Sequence, residues 1–492
     1  MVRPRNHPSP GIGAAWPASR DGTSLQPTAR FTVLLGAGAA LLAVALCAAA
    51  ALDAPWSWIV GLLYLAYDTW LLLTLVSSSR RAVADELSPR PAQGPRPTIA
   101  VLIAARNERL VLPRTLEAVL AQDDAPEEIV LVDDGSSDGT RAFFERSCGV
   151  RFGGDGSGRS ELVPGLTVLS RPNAGKAASL NEAVALARSE VVVTLDADTR
   201  LGPGALRAIR AAFQAEPGLA AACGVLRPEC RPGWSSRFFE LYQTFEYLRS
   251  FLWRLAWMRE DTLVLVSGAF AAFRREQLTA AGGFDPACRV EDYELMFRLH
   301  RRSLEGGQPL RVRVVSEARA VTDAPGRPLN FLRQRTRWFA GFLETMFRNH
   351  DMVGNAAYGR LGTFHLLVKT ADTLLPVYAF SASATLVLLL LGRGVDRVIL
   401  AVLAAKFCLD FACHAYCLFL HQRWQRSRMT LRLFLRAALA SLTEPYLFQI
   451  LRQLGALLGW VAFLRGHIDW APQRPAARSN PWSVPDEPGP AA

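Results

Sequence analysis

The strongest constraint on the fold of this chain is the placement of its apolar residues, which gather near the two ends. Five runs are long and almost free of charge. A helix rises 1.5 Å per residue, so about 20 apolar residues cross the roughly 30 Å hydrocarbon core of a bilayer. The pattern predicts a multi-pass membrane protein, with two transmembrane helices in residues 31–76 and transmembrane and interfacial helices in residues 361–465. The runs are residues 31–52, 57–76, 374–391, 398–420 and 433–464.

The last of these runs is longer than one span requires and contains polar residues. Arg436, Glu444 and Arg452 lie within it, and Pro445 removes one helical hydrogen bond. Three interpretations stay open: one long tilted span, a span followed by an interfacial helix, or a tight re-entrant pair.

The arginines that flank the apolar runs predict the orientation. They cluster before the first run, after the second and after the fourth, and positively charged loops stay on the cytosolic side. The middle of the chain is therefore expected in the cytosol, and the protein in the cell (inner or plasma) membrane. The same arginines explain the net charge of +11, so no nucleic-acid partner is expected. Residues 1–30 and 471–492, rich in Pro, Ser, Gly and Arg, are predicted to be disordered tails, the first of them cytosolic.

Composition excludes several other classes of protein. Half of the 492 residues are hydrophobic and only 20% are charged, which argues against both a disordered chain and a wholly soluble one. The eight cysteines form no C-x-x-C pair and no cluster with zinc spacing, so neither a disulfide scaffold nor a structural zinc site is expected.

Residues 96–348 show a different pattern, in which short apolar runs alternate with helical segments. The four runs at residues 98–103, 128–132, 166–169 and 190–195 are typical of strands buried on both faces. Strands that alternate with helices predict an α/β fold with a doubly wound, mostly parallel sheet. This domain would be inserted between the N-terminal and the C-terminal transmembrane helices.

Acidic and amide side chains follow three of the predicted strands. They are Asn107 with Glu108, Asp133 with Asp134, and Asp196 with Asp198. Ligands of such sheets bind at the carboxyl ends of the strands. Asp196 and Asp198 can offer two carboxylate oxygens to Mg²⁺ or Mn²⁺, which keeps other positions open for phosphates. Each motif alone is an ordinary Asp-rich turn, but together they favour a nucleoside-diphosphate site.

Three further segments carry candidate site residues. Lys176 precedes a predicted helix, at an N-terminus that favours anions. Asp292 lies in the first turn of an amphipathic helix, where its neighbours Glu291 and Glu294 are often only partners of the helix dipole. Asp292 is set apart because the segments Ser267–Phe270 and Gly282–Phe284 upstream suggest a tight pocket wall. Arg337 and Trp338 lie on a basic amphipathic stretch that either rests on the membrane surface or binds a pyrophosphate and a sugar ring.

These motifs together resemble those of the membrane-integrated family 2 glycosyltransferases, which have a GT-A domain. That group includes the poly-N-acetylglucosamine, chitin-oligosaccharide, hyaluronan and cellulose synthases. The resemblance covers about residues 96–345 and the flanking apolar segments. The matching motifs, in chain order, are Ala105-Arg-Asn107-Glu108, Asp133-Asp134-Gly-Ser136, Asn173-Ala-Gly-Lys176, Asp196-Ala-Asp198, Glu291-Asp292 and Gln334-x-x-Arg337-Trp338.

The resemblance implies a role for each motif. The first two, with Ala105, Asn107, Glu108, Asp133 and Asp134, would hold the nucleotide. Asp196 and Asp198 would bind Mg²⁺ or Mn²⁺ with the diphosphate, and Asp292 would be the general base. Lys176, Gln334, Arg337 and Trp338 would contact the diphosphate and the acceptor end.

The implied reaction is the inverting transfer of a sugar from a UDP-sugar to a growing β-linked polysaccharide. The suggested donors are UDP-N-acetylglucosamine and UDP-glucose. An acceptor hydroxyl would displace UDP in line while Asp292 takes its proton. The expected partners are the UDP-sugar donor, the glycan acceptor, the lipid bilayer and accessory export proteins. Asp68, Lys406, Asp410 and Glu444 lie in apolar runs, where charge is costly, and are predicted to line a polar path for the product. Lys406 and Asp410 are one helical turn apart, and for this pair alone a purely structural ion pair is slightly favoured. The alternatives are a non-processive lipid glycosyltransferase and an inactive UDP-binding membrane sensor.

Overall fold

The computed structural model describes residues 29–51, 58–87, 91–393, 397–428, 430–444 and 447–466. The tail predicted at residues 471–492 lies outside them, and of the tail predicted at residues 1–30 only residues 29 and 30 are described, at the start of the first helix. The strands are β1 (Ile99–Ala105), β2 (Glu128–Asp134), β3 (Val150–Phe152), β4 (Ser157–Ser160), β5 (Leu166–Arg171), β6 (Val191–Asp196), β7 (Thr199–Leu201), β8 (Ala221–Cys230), β9 (Phe270–Arg274) and β10 (Val312–Ala324). The helices are α1 (Ala29–Ala51), α2 (Ile59–Glu86), α3 (Leu112–Leu120), α4 (Thr140–Ser147), α5 (Lys176–Leu186), α6 (Ala205–Ala215), α7 (Ser236–Arg259), α8 (Arg275–Ala280), α9 (Glu291–Glu305), α10 (Pro328–Arg348), α11 (Leu366–Arg393), α12 (Arg397–Trp424), α13 (Leu431–Thr443) and α14 (Phe448–Arg465).

The ten strands form one sheet in the order β3-β4-β5-β2-β1-β6-β9-β8-β10-β7. The four strands β5, β2, β1 and β6 run parallel, as the sequence predicts. The runs of β1, β2 and β6 are buried along nearly their whole length, whereas β5 alternates buried and half-buried residues. Burial of both faces is typical of central parallel strands. The parallel register aligns Ala105 with Asp133, and Ala104 with Asp196, so the polar strand ends meet at one edge.

The sheet as a whole is mixed rather than mostly parallel. Strand β9 runs antiparallel to both β6 and β8, and β7 runs antiparallel to β10. The register pairs Phe270, the first residue of β9, with Leu195 near the carboxyl end of β6. The chain therefore enters β9 from the same edge at which the polar strand ends meet, and residues 262–268 pass along that edge.

Three described helices are long and apolar enough to cross a membrane, namely Ile59–Glu86, Leu361–Leu388 and Leu400–Trp424. A fourth candidate is the pair α13 and α14, which together pass the same test but bend by 58° at the break between them. The long run at residues 433–464 is thus two helices, consistent with a broken span or a re-entrant pair. The described apolar part of α1, Phe31–Cys47, is shorter than a span.

Helix α10 of the α/β domain packs without intervening side chains on the apolar helix α14. A Cβ atom at Gly455 would lie 2.6 Å from Cβ of Arg335, and one at Gly459 would lie 2.8 Å from Cβ of Phe339. Both distances are shorter than real Cβ contacts, so any side chain at either glycine would push the helices apart. The two helices therefore approach each other closely at both glycines.

Candidate active site

The loop after β2 is fixed by the two neighbouring carboxylates of Asp133 and Asp134. Oδ1 of Asp134 accepts a hydrogen bond from the backbone N–H of Ala174 at 2.8 Å, and Oδ2 accepts one from Gly175 at 2.9 Å. Asp133 is also buried and accepts bonds from the Ser136 amide and the Ser170 hydroxyl. Asp134 therefore holds the loop that leads into α5, and so positions Lys176 at the start of that helix.

The loop after β1 is tied to the same region through Asn107. Its backbone has φ of 57°, a conformation that asparagine tolerates better than most residues. Its amide oxygen accepts a hydrogen bond from the Ser137 N–H at 2.8 Å, and its own N–H donates to the Ser136 hydroxyl at 2.9 Å. Ala105 is the buried last residue of β1, and the carbonyl of Glu108 starts the turn into α3. The predicted nucleotide-binding residues of these two loops therefore lie side by side.

Lys176 stands between two acidic segments of the site. Its Nζ lies 2.8 Å from Oδ1 of Asp196 and 3.0 Å from Oε1 of Glu291. Burial opposes the charge of the ammonium, but the two carboxylates outweigh it and raise the pKa of Lys176 above its ordinary value. In turn, burial favours the neutral form of Glu291, yet Lys176 lowers its pKa. Lys176 thus stays charged beside the strand-end carboxylates.

Asp196 and Asp198 form the turn between β6 and β7. Burial, followed by the charges of Asp196 and Asp323, raises the pKa of Asp198 to about 8. Asp323 near the end of β10 is a residue that the sequence motifs do not identify, and burial raises its pKa as well. Crowded carboxylates of this kind are stabilised by a cation.

The donor set at this turn fits a hard divalent ion that also binds phosphates. Among the described residues, no three His, Cys, Asp or Glu side chains meet closely enough to hold a metal by themselves. Mg²⁺ and Mn²⁺ sites of nucleotide enzymes often use only one or two carboxylates and take the remaining oxygens from phosphates and water. Asp196 and Asp198, whose mutual repulsion a cation would relieve, match that pattern.

Asp292, at the start of α9, faces the turn of Asp196 and Asp198 across a shared cavity. Its Oδ2 accepts a hydrogen bond from the Gly268 N–H at 2.7 Å, and its Oδ1 accepts one from the Tyr293 N–H at 2.9 Å. Burial, and then the charge of Glu291, raises the pKa of Asp292 to about 6. A half-buried carboxylate that lines a cavity and has a pKa just below neutrality has the protonation behaviour that a general base needs.

Helix α10 brings Gln334, Arg337 and Trp338 to the same cavity. Gln334 is buried, and its Oε1 has no hydrogen-bond partner among the described residues. The neighbouring Arg335 forms two bonds to Glu246 of α7, at 2.8 and 2.7 Å, and its guanidinium lies 4.7 Å from the ring centre of Trp338. Glu246 therefore holds Arg335 in place, and Arg335 in turn packs on the ring of Trp338.

Sequence reasoning missed Asp323 and Glu246 as parts of the site, and it named Glu291 in a motif without giving it a role. Glu291 gives the clearest signal, since it precedes Asp292, but acidic residues are common in any first helical turn. Asp323 could have been found only from the pairing of β10 with β8, in which their carboxyl ends lie side by side. These strands are far apart in the sequence, so local patterns do not predict the pairing. Glu246 belongs to α7, in a stretch that matches no motif.

The site opens into a cavity of about 860 Å³ that continues between the apolar helices. At one end it is lined by Asp196, Asp198 and Asp292, and at the other by polar residues of α2, α12 and the α13–α14 break. There Lys406 donates to Asp68 at 2.8 Å and also to Asp410. Arg249 of α7 reaches across to Glu444, with Nη1 2.8 Å from Oε2. Asp68, Lys406, Asp410 and Glu444 therefore lie on the cavity, and each has an ion-pair partner.

Three known proteins are similar to this chain, two synthases in sequence and one mannosyltransferase in structure. Poly-beta-1,6-N-acetyl-D-glucosamine synthase of Staphylococcus aureus (strain COL) is 27% identical over 325 residues, which are 65% of this chain and 70% of that protein. The synthase of the same name from Staphylococcus epidermidis is 26% identical over 299 residues, or 59% of this chain and 63% of that protein. The mannosyltransferase PcManGT from Pyrobaculum calidifontis, solved with GDP-Man and Mn²⁺, matches with a TM-score of 0.53 and 20% identity over 82% of this chain and 99% of that one. This last likeness confirms the predicted fold.

Family models match both the α/β domain and its C-terminal extension. The model of "Glycosyl transferase family 2" matches residues 100–279, and that of "Glycosyl transferase family group 2" matches residues 191–463. The second match covers more than half of the chain and runs from β6 through the apolar helices. The predicted resemblance is therefore confirmed, and the chain belongs to the family 2 glycosyltransferases, enzymes that transfer a sugar.

Proposed function

We propose that this enzyme transfers a sugar from a UDP-sugar to the end of a growing β-linked polysaccharide, with inversion at the transferred carbon. One observation carries the proposal: a single cavity is lined by the carboxylate of Asp292, by the strand-end carboxylates of Asp196 and Asp198, and by polar residues of the apolar helices. A glycosyl acceptor at Asp292 would thus have room behind it for the rest of its chain.

Two of the similar proteins support the choice of donor. The mannosyltransferase from Pyrobaculum calidifontis is in complex with GDP-Man, which favours a nucleotide-sugar donor, and its Mn²⁺ favours a divalent cation here. The staphylococcal relatives are synthases of a poly-N-acetylglucosamine, so UDP-N-acetylglucosamine is the first donor to test and UDP-glucose the second. The nucleotide would lie on the loops of Asn107, Glu108, Asp133 and Asp134, with Ala105 at their base.

In the proposed mechanism Asp292 is the general base. Its oxygens accept bonds from two backbone amides, which fixes the carboxylate without supplying a proton to it. The ionised carboxylate takes the proton of the acceptor hydroxyl as the oxygen attacks the anomeric carbon from the side opposite UDP. One displacement of this kind converts an α-linked donor into a β-linked product, with no covalent enzyme intermediate.

Positive charge near Asp196 would stabilise the departing UDP. A divalent cation on Asp196 and Asp198 supplies charge neutralisation for the diphosphate when it is bound. Lys176, held beside Asp196, adds a fixed ammonium at the N-terminus of α5. Arg337 of α10 lines the cavity near Glu291 and can bind phosphate oxygens with two parallel N–H groups. Gln334 and Trp338 lie on the same helix, and we expect them to contact the acceptor end of the glycan.

The continuation of the cavity supports export of the product through the membrane helices. A glycan inside a bilayer requires hydrogen-bond partners, and Asp68, Lys406, Asp410 and Glu444 line the cavity beyond the site. We place the α/β domain in the cytosol, where UDP-sugars are made, and the chain in the cell membrane. Accessory export proteins would receive the product on the other side.

The test is incubation of the full chain in proteoliposomes with Mg²⁺ or Mn²⁺ and a panel of UDP-sugars. The proposal expects UDP release with one donor and a product of many sugar units. Transfer of a single sugar to lipid would contradict the proposal and indicate a non-processive lipid glycosyltransferase. UDP binding without any UDP release would contradict it and indicate an inactive UDP-binding sensor.

A further inference from the structure

The turn between α12 and α13 carries a cluster of positive charge. Residues 423–436 contain five arginines, and no acidic residue lies between Asp410 and Glu444. The five are all exposed, and they are Arg423, Arg426, Arg428, Arg432 and Arg436. Arg426 pairs with the exposed Glu317 of β10 at 3.6 Å, whereas the other four have no ion-pair partner among the described residues. The protein itself therefore neutralises little of this charge.

The turn lies on the side of the apolar helices that faces the α/β domain. Nη2 of Arg319 in β10 donates to the carbonyl of Gln425 at 2.6 Å, and Nε2 of Gln425 donates to the carbonyl of Ser316 at 3.2 Å. Helix α13 then runs back along α12, since Oγ of Ser441 and Nδ1 of His414 lie 3.0 Å apart. His414 is about 15 Å along the axis from the end of α12. Helix α13 therefore begins at the polar end of α12 and ends beside its apolar part.

Helix α13 exposes a face that changes from basic to apolar along its length. The face consists of Arg432, Leu435, Arg436, Leu439 and Leu442, all of them exposed. Their spacing by three and four residues places them on one side of the helix. The buried residues Ala437, Ala440 and Ser441 lie on the side that packs on α12 and α7. Both arginines are in the first half of the helix, and the exposed residues of its second half are Leu439 and Leu442.

A phospholipid with an anionic headgroup has the same order of chemical groups. Arginine binds phosphate oxygens with two parallel N–H groups, and clusters of arginine beside a membrane helix attract anionic headgroups. The leucines further along the face offer apolar surface to an acyl chain. A soluble anion would use the arginines alone. The tendency of positive loops to stay in the cytosol likewise requires no apolar surface beside them.

We propose that the exposed face of α13 binds an anionic phospholipid, with the phosphate at Arg432 and Arg436 and an acyl chain along Leu435, Leu439 and Leu442. The lipid lies in the leaflet next to the α/β domain, and the arginines of the preceding turn add to its attraction. This site goes beyond sugar transfer, because it requires only that the apolar helices lie in a bilayer.

The experiment counts the lipids bound to the full chain in a nonionic detergent by native mass spectrometry. Phosphatidylglycerol is compared with phosphatidylcholine of the same acyl chains, so that the two probes differ only in the headgroup. The Kd of each lipid is measured for the unaltered chain and for Arg432→Gln/Arg436→Gln. Thermal unfolding should not change, because both arginines are exposed and have no ion-pair partner among the described residues.

The unaltered chain should bind phosphatidylglycerol more tightly than phosphatidylcholine. One arginine at a headgroup accounts for about a fivefold change in affinity, so Arg432→Gln/Arg436→Gln should raise the Kd of phosphatidylglycerol roughly 25-fold. The Kd of phosphatidylcholine should not change. Arg432→Lys/Arg436→Lys keeps both charges and should retain most of the affinity. Leu435→Ser/Leu439→Ser should raise the Kd of both lipids, because it removes apolar surface from the site.

The matched control is Arg146→Gln/Arg159→Gln, which removes the same charge from exposed arginines of α4 and β4. These two elements lie at the β3 edge of the sheet, whereas β10 and the basic turn lie near the other edge. The control should leave both Kd values unchanged. Inorganic phosphate, which has the charge but no acyl chain, should not displace bound phosphatidylglycerol.

Equal Kd values of the two lipids for the unaltered chain would overturn the proposal. So would an unaltered Kd of phosphatidylglycerol in folded Arg432→Gln/Arg436→Gln, or an equal rise in the control variant, which would indicate a general effect of net charge. Displacement by phosphate would also overturn it and indicate a site for a soluble anion. None of these results bears on sugar transfer, and a failure of the proposed function leaves the lipid site standing.

Discussion

Replacing Asp292 by asparagine removes the proposed base while changing the shape of the site very little. The side chains have the same size, but asparagine offers one acceptor oxygen where aspartate has two. Asp292 accepts from Gly268 at 2.7 Å and from Tyr293 at 2.9 Å. In the variant, the amide group must face one of these two N–H groups, so one hydrogen bond is lost.

The loss of catalysis should far exceed the loss of stability. A positioned general base contributes about 10²- to 10⁴-fold, which corresponds to about 2.7–5.5 kcal/mol of activation free energy. The unpaired N–H costs about 1–3 kcal/mol of folding free energy. Part of that cost is offset, because burial raises the pKa of Asp292 to about 6 and the variant no longer buries this charge. UDP binding should stay nearly unchanged, since the nucleotide loops do not contact Asp292.

The assay follows UDP release at saturating donor, together with UDP binding by calorimetry and thermal unfolding. Asp285→Asn is the matched control, because Asp285 is a buried carboxylate bound to Arg348 outside the cavity lining. It should lose stability and retain turnover. Turnover of Asp292→Asn within a few-fold of the unaltered enzyme would show that Asp292 is not the base.

Other predictions concern pH, metal, charge and export. Because Asp292 must be ionised and its pKa is about 6, kcat/KM should fall about tenfold per pH unit below that value; a flat profile from pH 5 to 8 would contradict this. Asp198→Ala should abolish metal-dependent UDP binding, whereas activity that survives EDTA and this substitution would mean that no metal acts there. Lys176→Met should weaken UDP binding about ten- to hundredfold, as expected for a charged hydrogen bond, and unaltered UDP affinity would remove Lys176 from the site. Asp68→Leu or Glu444→Leu should lower polymer outside proteoliposomes more than UDP release, and an equal fall of both would refute the export path.

The strands and the polar strand ends could be predicted from local sequence. Runs such as residues 98–103 and 190–195 are too apolar for anything but the centre of a sheet, and the residues that follow them must meet at one edge. Asp196 was therefore expected at that edge, and the family resemblance added Lys176 and Asp292, which line the same cavity in the structure. The pairing of Lys176 with Glu291 required the path of the chain through α7 and β9, which no local pattern contains.

The role of Asp134 shows a second limit of sequence reasoning. Its motif suggests contact with a nucleotide, yet both of its oxygens accept backbone N–H groups of the loop before α5. A motif indicates that a certain residue type is needed at a position. It does not indicate whether that residue contacts the ligand or fixes the loop that contacts the ligand. The same holds for α7, whose Glu246 and Arg249 bind residues of α10 and of the α13–α14 break; neither partner can be deduced from sequence spacing.

The glycine contact between α10 and α14 links the chemistry of the site to the thickness of the bilayer. A membrane helix tilts when its apolar length and the hydrocarbon thickness differ. Because α14 has no side chain at Gly455 or Gly459, α10 lies in direct contact with its backbone there. Helix α10 must turn with it, and it carries Arg337 and Trp338. We therefore expect the rate of sugar transfer to depend on the acyl-chain length of the host lipid, with an optimum at one thickness. Bulky residues at the two glycines should shift that optimum, and a transfer rate that does not vary with acyl-chain length would refute this coupling.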